Sequence, residues 1–322
     1  MKITDESVLF PITMLVSFVA GVLGVGCNSW IVWVNLRDWR RGVHLSLPDQ
    51  ILSFMALLNA VMQNLFCFDV SCLTTGYYDK FHPIHLKVVS ILIFLVSCNL
   101  WFTAWLSVYY YMRIVSFSGG LLLALKMRIS DLLPKLLVMS IAESFIVGLL
   151  SSLNIYPEIT GETIGNATYN YTVEIPYIVI KSPFLITAGL GGFVTFTLTL
   201  LSIGLTLCSL WRHVKRMNTS DGSFSNVQAH ITAVRTMVLL VTLHTAFSAA
   251  SFYIVEKTFI AGDYLTLFCW YFIIIYPKCQ ALVMITGNSK LKKATRGFLR
   301  PGGTGCTPRL TSPSLMNEKP KV

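Results

Sequence analysis

The hydrophobic positions of the chain fall into seven long runs, each separated from the next by a polar or Gly/Pro-rich stretch. A helix needs about 20 mainly apolar residues to cross a membrane, and every run is long enough. Polar residues such as Asn59 and Gln63 dilute the second run, and we expect them to face the interior of a bundle. The pattern predicts an all-α membrane protein, a seven-transmembrane helix bundle with helices at about 8–36, 48–74, 85–115, 132–153, 182–211, 231–255 and 264–288.

The distribution of lysine and arginine predicts how this bundle is oriented. One set of connecting segments and the C-terminal region carry most of these residues, whereas the opposite set contains few. Because basic loops stay in the cytoplasm, we expect the N-terminus outside the cell and the C-terminus in the cytoplasm. Two glycosylation sequons, at Asn166 and Asn170, lie in a segment that this orientation places outside, so both are predicted glycosylation sites.

The composition excludes several classes of protein. Hydrophobic residues make up 54% of the 322 residues and charged residues 12%, with a mean hydropathy of +0.65. A soluble domain has about twice that charged fraction, so the formal charge of +10 indicates membrane orientation rather than nucleic-acid binding. The sequence has no Walker-type loop, HExxH, GxSxG or Cys/His cluster, and we therefore predict no enzymatic activity, no cofactor and no metal.

The cysteines and the C-terminal region carry less information. No pair among the eight cysteines has metal-ligand spacing, and we interpret them as small buried hydrophobic residues, with a disulfide from Cys72 to Cys269 as the alternative. Residues 1–295 are predicted to form the seven-transmembrane domain, and residues 296–322, rich in Pro, Gly, Ser and Thr, a disordered cytoplasmic tail. From Asn288 to Leu299 basic and apolar residues alternate, which predicts a short helix on the membrane surface.

Five groups of motifs occur in a fixed order along the chain. They are Asn28 with Asn35-Leu36-Arg37-Asp38-Trp39; Leu45-Ser46-Leu47-Pro48-Asp49-Gln50-Ile51-Leu52; Trp101-Phe102-Thr103-Ala104 to Tyr110 with Arg113-Ile114; the segment from Ser209 to Val234; and Tyr276-Pro277 with Gly287-Asn288-Ser289-Lys290-Leu291-Lys292. Over roughly residues 20–295 this order resembles the bitter taste receptors, the taste receptor type 2 family of G-protein-coupled receptors. The DRY and NPxxY motifs of ordinary rhodopsin-like receptors are absent, in agreement with that resemblance.

The resemblance implies a multi-pass receptor of the plasma membrane that senses small, mostly apolar bitter compounds and activates a gustducin/inhibitory-type heterotrimeric G protein. A vomeronasal type 1-like chemoreceptor is the nearest alternative, although such receptors are expected to carry cysteines in the second outer loop, where this chain has none. A small membrane transporter is the alternative from another class. Such transporters are commonly built from internal repeats, and no repeat is visible here.

Alignment with the same family places the ligand contacts on Trp101, Trp105, Phe247 and Trp270, with His244 one turn from Phe247 as a hydrogen-bonding group. Trp101 and Trp105 are four residues apart, so they lie on one face of a helix. The family often has polar residues at the positions of Trp105 and Trp270, and this pocket is therefore expected to be more apolar. Core packing or contact with lipid is the other interpretation of each aromatic residue.

Two departures from the family pattern lie within the membrane. The family usually has Arg in helix two where this chain has Asn59, and "PSxHS" in helix seven where this chain reads Pro277-Lys278-Cys279-Gln280-Ala281. We predict an intramembrane polar network of Asn28, Asn59, Lys278 and Gln280, in which Lys278 supplies the missing charge and hydrogen-bonds Asn59. A neutral or snorkelling lysine is the alternative. Glu143 is a further intramembrane ionisable residue to which the sequence assigns no partner.

The resemblance also places the G-protein docking surface at the cytoplasmic ends of helices three, five and six. The residues that we expect to face the G protein are Tyr110, Arg113, His213, Arg216, His230 and Arg235. Contact with lipid headgroups alone is the other interpretation of the basic members. The expected partners are a small-molecule agonist, a heterotrimeric G protein and membrane lipid.

Overall fold

The computed structural model describes residues 3–74, 78–115, 120–157, 178–180, 182–217, 224–256 and 264–299. Within these ranges the chain forms α1 Ile3–Arg40, α2 Leu47–Thr74, α3 Tyr78–Ile114, α4 Gly120–Asn154, β1 Ile155–Pro157, β2 Ile178–Ile180, α5 Ser182–Met217, α6 Phe224–Glu256, α7 Tyr264–Gly287 and α8 Ser289–Leu299. The two short strands pair antiparallel, with Ile155 opposite Ile180. The helices α1 to α7 are long and apolar enough to span a membrane, which confirms the predicted seven-helix bundle.

Several helices extend beyond their predicted ends. Helix α4 begins at Gly120, well before the predicted residue 132, because the helix continues through residues 120–131, where Lys126, Arg128 and Asp131 dilute the hydropathy. Helix α8 ends at Leu299, beyond the domain boundary predicted at residue 295. Its alternation of basic and apolar residues continues to that point, so the boundary predicted from tail composition lies inside a helix.

The helix α3 lies at the centre of the bundle and contacts α2, α4, α5 and α6, while α1 packs between α2 and α7. One apolar core joins α1, α2, α3 and α7, with residues of α4, α6 and α8, towards the end of the bundle that carries α8, which we call the α8 end. A second core, around Phe66, Leu95, Phe247 and Tyr276, joins α2, α3, α6 and α7 further from it. Polar residues at mid-span, among them Asn59 and Gln280, are buried between the helices.

Three helix termini near the α8 end are capped by local sequence. Helix α1 ends in a Schellman motif, in which Gly42 has φ of 79° and the N–H of Val43 donates to the carbonyl of Asp38 at 3.1 Å. Helix α2 begins with a capping interaction, because the N–H of Asp49 donates to Oγ of Ser46 at 3.3 Å. Asn288 caps α8 by accepting from the N–H of Lys290 at 2.9 Å. These caps fix the directions in which the three helices meet.

Small residues allow two helix pairs to approach closely. On α1, a Cβ added to Gly24 would lie 2.7 Å from Oε1 of Gln63 on α2. On α7, a Cβ added to Gly287 would overlap the side chain of Thr236 on α6. The α6–α7 approach lies near the α8 end, so a change in the relative position of these two helices must alter the Gly287–Thr236 contact.

Candidate functional site

A buried aromatic cluster lies between α6 and α7 at mid-span. The phenol oxygen of Tyr276 and Nδ1 of His244 share a hydrogen bond of 2.6 Å. The ring of Phe247 lies 4.2 Å from the ring of Tyr276, centroid to centroid, and all three side chains are at most 4% exposed. The second ring nitrogen of His244, Nε2, has no hydrogen-bond partner among the described residues. The structure thus brings two predicted ligand residues together and leaves a polar atom beside an aromatic surface.

The two tryptophans of α3 stack on each other and face α4. Their rings are 5.8 Å apart and 17° from parallel, as the four-residue spacing predicts. The indole N–H of Trp101 donates to Oε2 of Glu143 at 2.6 Å, and that of Trp105 donates to Oγ of Ser140 at 2.8 Å. Trp101 is therefore the partner that the sequence did not assign to Glu143. A Cβ added to Gly191 of α5 would lie 3.1 Å from the other oxygen of Glu143, so this carboxylate lies where α3, α4 and α5 meet.

Trp270 makes no ring contact or hydrogen bond with the other predicted ligand residues within the described part of the chain. It lies one helical turn before both Ile273, which packs in the second core, and Ile274, which packs against Ala20 of α1. Its side chain is partly buried, and its Nε1 has no hydrogen-bond partner within the described part of the chain. The five predicted ligand residues consequently occupy three places in the bundle, and their role in ligand binding stays a prediction.

The predicted intramembrane polar network is buried but only partly hydrogen-bonded. Asn28 donates from Nδ2 to the carbonyls of Gly24 at 2.8 Å and Pro277 at 3.3 Å, which joins α1 to α7. The amides of Asn59 and Gln280 are fully buried, and neither has a partner among the described residues.

The structure does not contain the predicted hydrogen bond from Lys278 to Asn59. Lys278 is partly buried and lies close enough to Cys27 of α1 to interact electrostatically with its thiol. The carbonyl of Pro277, the residue before Lys278, accepts a hydrogen bond from Asn28 of α1, so this part of α7 is directed towards α1. That packing is the physical reason why Lys278 does not reach Asn59 on α2.

A cluster of polar residues at the α8 end joins α1, α2 and α8, and we call it the helix-end junction. It consists of Asn35, Asp38, Asp49, Asn288 and Lys290. The ammonium of Lys290 donates to Oδ1 of Asn35 at 2.8 Å and lies 3.2 Å from Asp38 and 3.6 Å from Asp49. Asn288 donates to Asp49 at 3.0 Å, and Asn35 donates to the carbonyl of Asp49 at 3.2 Å. Three of the sequence motifs that carry the family resemblance therefore meet at the helix-end junction.

The predicted G-protein-facing residues that the structure describes lie at the α8 end. Tyr110 is partly buried beside a small cavity that Met237 and Gly287 also line. Arg113 is exposed, with its guanidinium carbon 5.9 Å from the ring centre of Tyr109, and Arg235 is exposed on α6. The side chains of His213, Arg216 and His230 lie outside the described part of the structure. A role in G-protein contact remains a prediction for all six.

Three further predicted features fall on parts of the chain that are not described. The sequons at Asn166 and Asn170 lie between β1 and β2, outside the described residues. The side chain of Cys72 is also outside them, so a bridge to Cys269, which is buried against the second core, stays a prediction.

The sequence assigned no role in the site to Ser140 and Tyr276. Ser140 accepts a hydrogen bond from Trp105, and Tyr276 shares one with His244. Tyr276 belongs to a motif that carries the family resemblance, but neither residue type by itself indicates a place in the site. Their roles follow from which helices are adjacent, and the hydrophobic pattern does not give that information.

Seven apolar spans, enclosed polar residues and an eighth helix at one end are the features of a multi-pass membrane protein built as a seven-helix bundle. The family model "Taste receptor protein (TAS2R)" matches residues 6–301. Similar proteins include taste receptor type 2 member 113 of Rattus norvegicus, 27% identical over 90% of this chain and 94% of that protein. Taste receptor type 2 member 140 of the same species is 29% identical over 91% and 94%, and member 14 of Homo sapiens is 26% identical over 90% and 91%.

The chain belongs to the taste receptor type 2 family of bitter-taste G-protein-coupled receptors. It is therefore a multi-pass protein of the plasma membrane, and its family is a class of receptors rather than of enzymes. Receptors of this class respond to small molecules and act on G proteins.

Proposed function

We propose that this receptor binds small, mostly apolar compounds within the bundle and activates a gustducin/inhibitory-type heterotrimeric G protein. Its N-terminus lies outside the cell, and the α8 end lies in the cytoplasm. The family match supports receptor function, and the excess of lysine and arginine in the segments at the α8 end supports this orientation.

The observation that carries the proposal is the cluster of His244, Phe247 and Tyr276. Binding sites for small molecules are largely apolar and aromatic, with few polar groups that fix orientation. Here two aromatic rings adjoin a histidine whose Nε2 is buried and unpartnered within the described structure. A buried polar atom without a protein partner requires another source of hydrogen bonding, and a ligand or a water molecule in contact with it supplies one.

The cluster also lies where ligand binding can affect signalling. An agonist shifts a receptor towards its active state only by the difference between its affinities for the two states. The His244–Tyr276 hydrogen bond joins α6 to α7 at mid-span, and the Gly287–Thr236 contact joins the same helices at the α8 end. A compound that changes the first contact therefore acts on the helix pair that makes the second.

The stacked tryptophans of α3 are the second part of the proposed ligand site. Their indole N–H groups donate hydrogen bonds to Glu143 and Ser140, so the remaining ring faces and edges are apolar surface. On this assignment Trp101 and Trp105 act by shape and apolar contact.

Calcium release in cells that co-express the chain with a promiscuous G protein tests the proposal, using a panel of apolar bitter compounds. His244→Ala and Trp101→Ala are compared with Thr245→Ala, which changes an exposed residue next to His244. Loss of one ligand hydrogen bond corresponds to an increase in EC50 of up to about tenfold, whereas Thr245→Ala leaves the response unchanged. Surface expression is matched among the variants.

A silent panel in well-expressed cells, or equal effects of His244→Ala and Thr245→Ala, contradicts the ligand site. Orientation is tested separately with epitope tags at the two termini in intact and permeabilised cells. An N-terminal tag that is detected only after permeabilisation contradicts the orientation. Replacing the promiscuous G protein by an inhibitory-type one tests the coupling, and a response that is lost on that exchange contradicts it.

A further inference from the structure

An open groove of about 610 Å³ runs between the end of α1 and α8 on the outside of the bundle. Its apolar wall is formed by Trp30, Trp33 and Phe298, with ring centroids 5.0 Å apart for the two tryptophans and 4.8 Å apart for Trp30 and Phe298. The indole N–H of Trp30 donates to Oγ1 of Thr295 at 2.9 Å, which joins α1 to α8 and orients the ring. Trp33 is 49% and Phe298 67% exposed, so the wall is accessible from outside the protein.

The rim of this α1–α8 groove is basic. The guanidinium carbon of Arg37 lies 5.2 Å from the centre of the Trp33 ring, and Lys290 and Lys293 line the opposite side on α8. Asp38 partly neutralises Arg37 and Lys290 from the helix-end junction. Lys293 is exposed, and no carboxylate of the described residues lies within salt-bridge distance of it. The lining residues themselves include no acidic side chain, so the groove has a net positive charge.

The position of the groove along α1 determines what kind of molecule fits it. The span of α1 covers Met14–Arg40, so Trp30 and Trp33 lie within its last turns and Arg37 lies close to its end. Tryptophan at this depth is typical of the boundary between lipid chains and headgroups. A molecule bound here therefore meets an aromatic surface at acyl-chain depth and cations at headgroup depth. An anionic phospholipid has both parts in the required order.

We propose that the α1–α8 groove is a binding site for an anionic phospholipid of the leaflet at the α8 end. Its acyl chain packs against Trp30, Trp33 and Phe298, and its headgroup lies between Arg37 and Lys293. Basic residues next to a membrane span attract anionic lipids, which concentrate in the cytoplasmic leaflet. The orientation proposed above identifies that leaflet, but the groove and its charge do not depend on it.

Gly297 provides a way to fill the groove without disturbing the fold. It lines the groove on α8, and a Cβ added to it would meet nothing within 4 Å. Leucine is also a better helix former than glycine. Gly297→Leu therefore places a side chain where the acyl chain is proposed to lie, and its Cβ meets no protein atom.

Equilibrium titration of the full chain in detergent with fluorescent phosphatidylserine and phosphatidylcholine tests the proposal. The unmodified chain is expected to prefer phosphatidylserine. Lys293→Gln lowers that affinity about fivefold, because one basic side chain next to the headgroup is lost. Lys292→Gln is the matched control, since it removes the same charge from an exposed neighbour that does not line the groove.

Two further arms separate the proposed occupant from others. Gly297→Leu is expected to abolish the preference for phosphatidylserine, and inorganic phosphate at millimolar concentration is expected not to displace the lipid. Equal affinity for the two lipids, or equal losses in Lys292→Gln and Lys293→Gln, overturns the proposal. A change of oligomeric state in Gly297→Leu with unchanged lipid affinity also overturns it, because the groove would then be a contact between copies of the chain.

Discussion

The helix-end junction and the mid-span polar residues are both made of buried or half-buried polar side chains, but they differ in how these are paired. At the junction Asp49 receives hydrogen bonds from Ser46 and Asn288 and an ion pair from Lys290. At mid-span Asn59 and Gln280 are fully buried, and their amides have no partner among the described residues. The same kinds of residue thus form a connected network in one region and isolated groups in the other.

This difference indicates different roles for the two regions. A connected polar network holds its elements in one arrangement, and removing a member leaves the others unsatisfied. An unpartnered buried amide makes no hydrogen bond with the protein, so replacing it breaks none and should change the free energy of unfolding little. We therefore expect the helix-end junction to stabilise the bundle and the mid-span polar residues to contribute little to stability, which leaves the mid-span region able to rearrange when the receptor changes state.

The largest expected effect is that of Asp49→Ala. The substitution leaves Ser46, Asn288 and Lys290 without their shared acceptor and should lower the free energy of unfolding by about 3–4 kcal/mol. The thermal midpoint of the purified receptor in detergent measures the loss. Asp131→Ala, which removes an exposed carboxylate from α4, is the control and should leave the midpoint unchanged. Equal midpoints for the two variants would show that the helix-end junction is not a stabilising network.

A second test adds charge to the unpaired region. Asn59→Arg introduces another cation near mid-span, which costs roughly 2.5–3.5 kcal/mol on insertion scales and should reduce surface expression. Combining it with Lys278→Ser removes one cation and should restore both expression and signalling, if one positive charge from either helix suffices. Flow cytometry of intact cells and calcium release provide the readouts. A double variant that loses both would refute the idea that Lys278 substitutes for a helix-two arginine.

How far the sequence predicts these two regions depends on the kind of interaction. The seven spans follow from hydropathy, and the cap residues Ser46 and Asn288 lie in motifs that sequence analysis singles out. The meeting of those motifs does not follow, because Asn35 and Lys290 are 255 residues apart and are brought together only by the packing of α1 against α7 and α8. Local capping is visible in sequence, whereas the junction is a property of the tertiary fold.

The aromatic residues also show that contacts between helices do not follow from the sequence. The spacing of Trp101 and Trp105 predicts a shared helix face, and their rings do stack. Helical periodicity identifies a face but not the helix that it meets, so the contact with α4 was not predictable. Trp270 illustrates the converse, because the resemblance groups it with Phe247 and no ring contact or hydrogen bond joins the two in the described structure, so its role in ligand binding stays a prediction. The sequence therefore predicts contacts between residues of one helix, but it does not predict contacts between residues of different helices.

The two tryptophans also allow a finer test of what pairing contributes. Trp101→Phe removes a hydrogen bond to a carboxylate and leaves Glu143 unpaired, which should cost about 2 kcal/mol. Trp105→Phe removes a hydrogen bond between neutral groups and should cost about 1 kcal/mol. Thermal midpoints of the two variants give the comparison, and each substitution retains an aromatic ring. A larger loss for Trp105→Phe would mean that packing, not pairing to Glu143, determines the contribution of these residues.

The smallest expected effect is the most direct test of the comparison between the two regions. Asn59→Leu replaces a fully buried, unpartnered amide by an apolar side chain of similar volume, and such replacements are neutral or stabilising. The thermal midpoint should therefore stay unchanged or rise slightly. Asn35→Leu, at the helix-end junction, should lower the midpoint, with a loss of about 2 kcal/mol in the free energy of unfolding, because Lys290 and Ser53 each lose a partner. If Asn59→Leu lowers the midpoint as much as Asn35→Leu, then Asn59 has a stabilising partner such as bound water, and the two regions do not differ in the way that their hydrogen bonding indicates.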